Sequence, residues 1–120
     1  MAVITESRQA GEFILAEANG TISREQVTIG AGNLDAGTVL GRITASGNYV
    51  ILAPAASDGS QTAAGVLFQD VNATAAAQRG VAIVRHAEVR TGALAWPVGI
   101  TAPQRTAAIS QLAALGILVR

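Results

Sequence analysis

Residues 37–71 read GTVLGRITASGNYVILAPAASDGSQTAAGVLFQDV, a stretch that packs apolar runs around turn signals and carries almost no reactive side chains. Residues 38–45 and 49–53 read as two strands meeting at Ser46-Gly47-Asn48. Gly and Asn tolerate the positive φ that a tight hairpin needs. A second turn at Ser57-Asp58-Gly59-Ser60 leads into Gly65-Val66-Leu67-Phe68, a short apolar run suited to the inside of a small β core. The pattern fits a domain made for shape and contact rather than for a reaction.

Working outward, residue 22 onward keeps the strand-like pattern, with Ile22, Val27 and Ile29 recurring among polar residues before Gly30-Ala31-Gly32-Asn33 breaks the run. Val81-Ala82-Ile83-Val84 is a further buried strand. Residues 86–89 follow it, then a turn at Arg90-Thr91-Gly92, and Leu94-Ala95-Trp96 makes a short strand ended by Pro97. Residues 73–78 are expected to form one helical turn. One longer helix is well specified near the end. Thr101 fits an N-cap, Gln104 completes a capping box, and Pro103 sits in the first turn, where its missing donor costs little. Ala108, Ile109, Leu112, Ala113 and Leu115 give it an apolar face, Gly116 fits the left-handed residue beyond it, and Ile117-Leu118-Val119 returns as a final strand.

The first twenty residues differ from the rest. Short apolar pairs, Val3-Ile4 and Phe13-Ile14-Leu15, are separated by polar residues, as in an extended arm with apolar anchors that orders against a partner. A frayed terminus accounts for the same pattern equally well.

At 120 residues the chain has room for one domain. Half of it is apolar, yet Ala and Gly supply much of that fraction and the aromatic residues are Phe13, Tyr49, Phe68 and Trp96. Small side chains bury little area each, at roughly 25 cal/mol per Å², so a thin core that gains from self-association is expected. Eight basic and eight acidic residues cancel and are dispersed, which argues against a nucleic-acid partner. All the basic residues are arginine, which excludes lysine Schiff bases, lipoyl or biotinyl attachment and a P-loop lysine. The absence of cysteine closes the thiol routes. The start, MAVITESRQAGEF, lacks the pattern of a secretory signal, and no apolar run approaches about 18 residues, so a soluble, unexported protein is expected.

The candidates for chemistry are few. His86 is the sole histidine and has no motif placing a nucleophile beside it, so a surface or interface role is favoured. Asp58 and Asp70 are conceivable as a carboxylate pair, but Asp58 in Ser-Asp-Gly-Ser is explained by turn chemistry. Gly30-Ala31-Gly32 lacks the third glycine and lysine of a phosphate-cradling loop. Trp96 is a large rigid anchor for the core or for a subunit interface, with the core favoured.

Read in order, the segments resemble the phage head decoration protein D family, the capsid cement proteins of tailed phages. The resemblance is carried by residues 13–20 (FILAEANG) with Ser23-Arg24-Glu25, by residues 36–41 (AGTVLG), and by residues 58–67 (DGSQTAAGVL). Residues 84–89 (VRHAEV), Trp96-Pro97 and the helix ending in residues 112–117 (LAALGI) complete it. It implies a mixed α/β, β-rich fold: a small β-clip-like domain over residues 21–120 with one C-terminal helix, preceded by an extended capsid-binding arm over residues 1–20. It also implies a homotrimer on the outer surface of the expanded head, at three-fold and quasi-three-fold positions, with no enzymatic activity and no cofactor or metal.

The implied partners are the major capsid protein and further copies of the chain, with no nucleic acid and no membrane. The implied location is the virion surface, after assembly in the host cytoplasm. Val3, Ile4, Phe13, Ile14 and Leu15 would anchor the arm, and removal of residues 1–15 is expected to leave a folded trimer that no longer protects capsids from heat. A competing reading is a small cellular β-barrel or β-clip module for carbohydrate, with Tyr49 and Trp96 as its aromatic faces. A third is a hydrolase using Ser57 or Ser60 with His86 and Asp58.

Overall fold

The computed structural model describes residue 11, residues 13–17 and residues 22–120. Among these, the protein is β-rich with one α-helix. A closed five-stranded barrel is formed in the order β2 (Arg24–Ile29), β5 (Tyr49–Ile51), β4 (Val39–Arg42), β6 (Ala63–Leu67) and β8 (Gln78–Ile83). A three-stranded sheet places β9 (Ala87–Val89) between β1 (Ile14–Glu17) and β10 (Ile117–Val119), and β3 (Gly32–Leu34) pairs with β7 (Val71–Ala73).

The hairpin expected at Ser46-Gly47-Asn48 joins β4 to β5. Gly47 has φ +75°, Ile43 N–H donates to the Asn48 carbonyl at 2.8 Å, and Arg42 stands opposite Tyr49. β2 alternates buried Val27 and Ile29 with outward residues. It closes the barrel by pairing antiparallel with β8 from Arg24↔Ile83 to Ile29↔Gln78, while Ile29 also bridges Tyr49 in parallel.

Two clusters make up the core. Val27, Ile29, Leu34, Leu40, Leu67 and Val71 pack together around the barrel strands and the β3–β7 ribbon. Phe13, Val39, Leu52, Ile83, Leu112 and Ile117 pack between the barrel, the three-stranded sheet and the helix. The small-residue composition is thus offset by concentrating the branched aliphatic side chains inside, where packing density matters most.

Helix α1 (Ala102–Ala114) begins as expected: Gln104 N–H donates to Thr101 Oγ1, and Gln104 Oε1 accepts from Thr101 N–H. Its contact stripe is narrower than the apolar pattern implies. Ala108 and Leu112 are buried, whereas Ala113 and Leu115 are exposed, because the helix lies at the periphery and touches the domain along one line. From that line Gln111 Oε1 accepts the Ala63 N–H at 2.8 Å, tying the helix to β6.

Two local expectations are corrected. Residues 73–78 form no helical turn, because Ala73 is held opposite Gly32 in the β3–β7 pair and Gln78 already opens β8. Between them Thr74 donates through both its N–H and its hydroxyl to Asn72 Oδ1. Leu94-Ala95-Trp96 contributes only a single parallel bridge, Thr38↔Ala95.

Candidate functional site

The chain joins the domain at Gly11. Its N–H donates to the Phe68 carbonyl at 2.9 Å, and its carbonyl accepts from Ile14 N–H at 3.0 Å. With φ at +70° and a hypothetical Cβ within 2.9 Å of the Phe68 ring, the position demands glycine. Arg24 stacks its guanidinium 4.1 Å above the centre of the same ring.

Past this point the expected arm is already part of the domain. Phe13 is wholly buried in the core, and Ile14–Glu17 pairs antiparallel with β9. The expectation of one extended arm over residues 1–20 is therefore revised for Phe13 to Glu17, because burial of the Phe13 ring in the core and the backbone pairing of Ile14–Glu17 with β9 hold this stretch on the domain. Ile14 packs partly against that cluster, and Leu15 is 46 % exposed. Val3 and Ile4 lie outside the described residues.

The three-stranded sheet has one face in the core and one outside. Ala16 and Leu118 both stand opposite Glu88 in the ladders, so they share its face. Ala16 is exposed, Leu118 is 40 % exposed, and beside them lies a shallow hollow of about 200 Å³ that reaches His86 and Gly116. The register between β1 and β9 shifts between Ile14 and Ala16, a bulge that leaves Leu15 exposed as well. Glu88 is held at 3.5 Å by Arg120 across this surface. The result is an apolar face with one ion pair at its middle, next to the point where the N-terminal segment joins. The sequence reading missed Ala16 and Leu118. The available signal was the alternation in Ala87-Glu88-Val89 and Ile117-Leu118-Val119, whose middle residues must point away from the core.

Trp96 is half-buried against the core cluster, with the Arg105 guanidinium 5.5 Å above its ring. Tyr49 packs against the other cluster. The two aromatic residues are not brought together, and no shared stacking platform for a sugar results.

Of the catalytic candidates, Ser60 and Asp58 are brought together, but His86 does not join them. Ser60 is buried and donates its hydroxyl and its N–H to Asp58 Oδ1, which lowers the Asp58 pKa from the ordinary carboxylate range. Asp70 instead accepts the Ala36 N–H at 2.8 Å, securing the loop that leads into β4. His86 sits at the β8–β9 link with φ +49°, its backbone packed on Gly116 and its carbonyl accepting the Ser23 hydroxyl at 2.7 Å. No hydrogen bond or ion pair joins it to Asp58, Ser57 or Ser60. Among the described residues, no group of His, Asp and Glu is arranged to hold a metal ion, and no helix is long and apolar enough to cross a membrane.

The family of the chain is shown by comparison with known proteins. The family model of the bacteriophage lambda head decoration protein D matches residues 3–117 of the 120-residue chain. The chain belongs to that family. No curated protein matches it in sequence. The family match takes in Gly11, all of β1 and β9, and the start of β10, so the join of the N-terminal segment and most of the outer sheet face lie within the family region.

Proposed function

We propose that this decoration-family chain is a structural cement subunit that binds the outer surface of an expanded phage head as a homotrimer, at three-fold and quasi-three-fold positions, and stabilises the shell against disruption. The family match over residues 3–117 carries the reading. A β-clip-like trimer is part of the same proposal, as are the virion as its location and the major capsid protein as its partner.

The docking work falls to residues 1–10, with Val3 and Ile4 as anchors, together with the exposed face around Leu15, Ala16 and Leu118. Full burial of one Leu contributes roughly 1.5–3 kcal/mol. Leu15 and Leu118 are already about half covered, so each has roughly 1 kcal/mol left to contribute on docking. One copy would bind weakly. Three copies linked in a trimer convert the second and third contacts into intramolecular events, and avidity supplies the rest.

Co-sedimentation with expanded heads, and heat resistance of the decorated heads, test the reading. Deleting residues 1–10 keeps Gly11 and Phe13 and is expected to leave the fold intact while abolishing protection. Leu118→Glu places a charge on the outer face and is expected to weaken binding about tenfold without lowering the melting temperature. Wild-type protein that neither sediments with heads nor runs as a trimer would overturn the proposal.

A further inference from the structure

On the barrel flank, the exposed residues Arg42 and Arg79 line one open cleft of about 420 Å³ together with Tyr49, Thr28, Gln26 and Glu25. Among the described residues, neither arginine has a carboxylate partner. Arg42 donates through Nε to the Gly47 carbonyl at 3.4 Å, and Arg79 donates through Nη1 to Gln26 Oε1 at 3.3 Å. Both are long bonds to neutral acceptors, weaker than the charge-assisted pairing a guanidinium can make. The carboxylate in the cleft, Glu25, is engaged by Arg85 at 3.5 Å. In a chain with no net charge, the cleft is therefore a local concentration of uncompensated positive charge.

The ladders fix how these groups are spaced. Arg79 stands opposite Thr28, Ile29 bridges Tyr49, and Tyr49 stands opposite Arg42, so the two arginines are three strand steps apart. Three steps of about 4.8 Å and the single residue from Thr28 to Ile29 put their Cα atoms at most about 18 Å apart along this path, and side chains that reach into one cleft bring the guanidinium groups closer. An extended peptide advances about 3.3 Å per residue, so its carboxylates at i and i+2 or i and i+4 are about 7 to 13 Å apart and match this span. Tyr49, whose phenol is held protonated by burial, adds a donor between them. A nucleic acid is a poorer fit, because two arginines beside a glutamate do not make the continuous basic track that a phosphate backbone requires.

We infer that this cleft is a docking site for an extended acidic segment of a partner polypeptide, with Arg42 and Arg79 each receiving one carboxylate and the Tyr49 hydroxyl donating between them. The site is separate from the outer sheet face and does not rest on the capsid reading.

The test uses the full chain and a blocked peptide of alternating Glu and Gly, titrated at low salt while backbone amide resonances are recorded. Saturable shifts confined to Thr28, Gly47, Tyr49 and their neighbours are expected. Arg42→Gln and Arg79→Gln are each expected to lower affinity about tenfold with unchanged melting temperature, and the Gln version of the peptide is expected not to bind. The inference is overturned by shifts that are absent or scattered over the surface. It is also overturned by unchanged affinity in both arginine variants, or by equal binding of a single-stranded DNA oligonucleotide.

Discussion

Arg90 donates its N–H to the Phe13 carbonyl at 2.8 Å while the Phe13 ring is wholly buried. The N-terminal segment is thus fixed to the domain through backbone and side chain at one residue. Phe13→Ala is expected to cost about 3–5 kcal/mol of folding stability, measured as a lowered denaturant midpoint. The deletion of residues 1–15 removes this anchor together with the start of β1, so it is expected to destabilise the domain rather than leave it folded. A cut after residue 10 leaves the Phe13 anchor in place, so the proposed docking role of residues 1–10 is tested apart from folding.

Gly41 is a position where space, not φ, requires glycine. A Cβ there would strike the Ser60 carbonyl oxygen and come within 2.7 Å of Ser60 Cα and the carbonyl carbon, where β4 and β6 shift register. Backbone cannot yield as a side chain can. Gly41→Ala is expected to destabilise by roughly 3 kcal/mol, the upper end of ordinary overpacking. Gly47→Ala, where φ is +75° and the nearest atom is the mobile Arg42 Nη2 at 3.2 Å, is expected to cost only about 1 kcal/mol. Urea denaturation of the two variants checks the ranking.

The difference between these two glycines marks what was legible in the sequence. Gly47 sits between two apolar runs in a local turn, and its role follows from its neighbours in the chain. Gly41 is special only because residue 60 returns against it, which no local pattern announces. The same division holds elsewhere. The helix start at Thr101 and Gln104 and the strand Ile117–Val119 were readable because capping and periodicity are short-range. The closure of the barrel was not, since it depends on Ile29 meeting both Gln78 and Tyr49. The outer sheet face was half legible: Leu15 stood out as an apolar residue in a polar segment, whereas Ala16 and Leu118 come together only once β9 brings them to either side of Glu88.

Thr101 closes a reciprocal pair of bonds with Gln104 at the start of a helix that carries no acidic residue in its first turn. The cap therefore has no charge–dipole support behind it. Thr101→Ala is expected to cost about 1 kcal/mol and Thr101→Ser much less. Because Gln111 on the same helix holds the Ala63 N–H, hydrogen exchange at Ala63 is expected to quicken in the alanine variant along with the helix amides.

Asp58 gives the stability a dependence on pH whose sign is fixed by the structure. The Ser60 hydroxyl, and then the Ser60 N–H, hydrogen-bond its carboxylate and lower its pKa in the folded state. A group with a depressed folded pKa contributes stability above its unfolded pKa and loses it as pH falls through the folded value. The contribution is therefore present at neutral pH and declines on acidification below about pH 4. Asp58→Asn retains a side-chain oxygen to accept from Ser60 but cannot titrate. The variant is expected to be less stable than wild type at pH 7, and the gap is expected to narrow as the pH falls below about 4 and the wild-type carboxylate takes up a proton. Thermal melts of the two proteins over that range decide the point: a gap that stays constant with pH would mean that the Asp58–Ser60 turn acts through its shape alone.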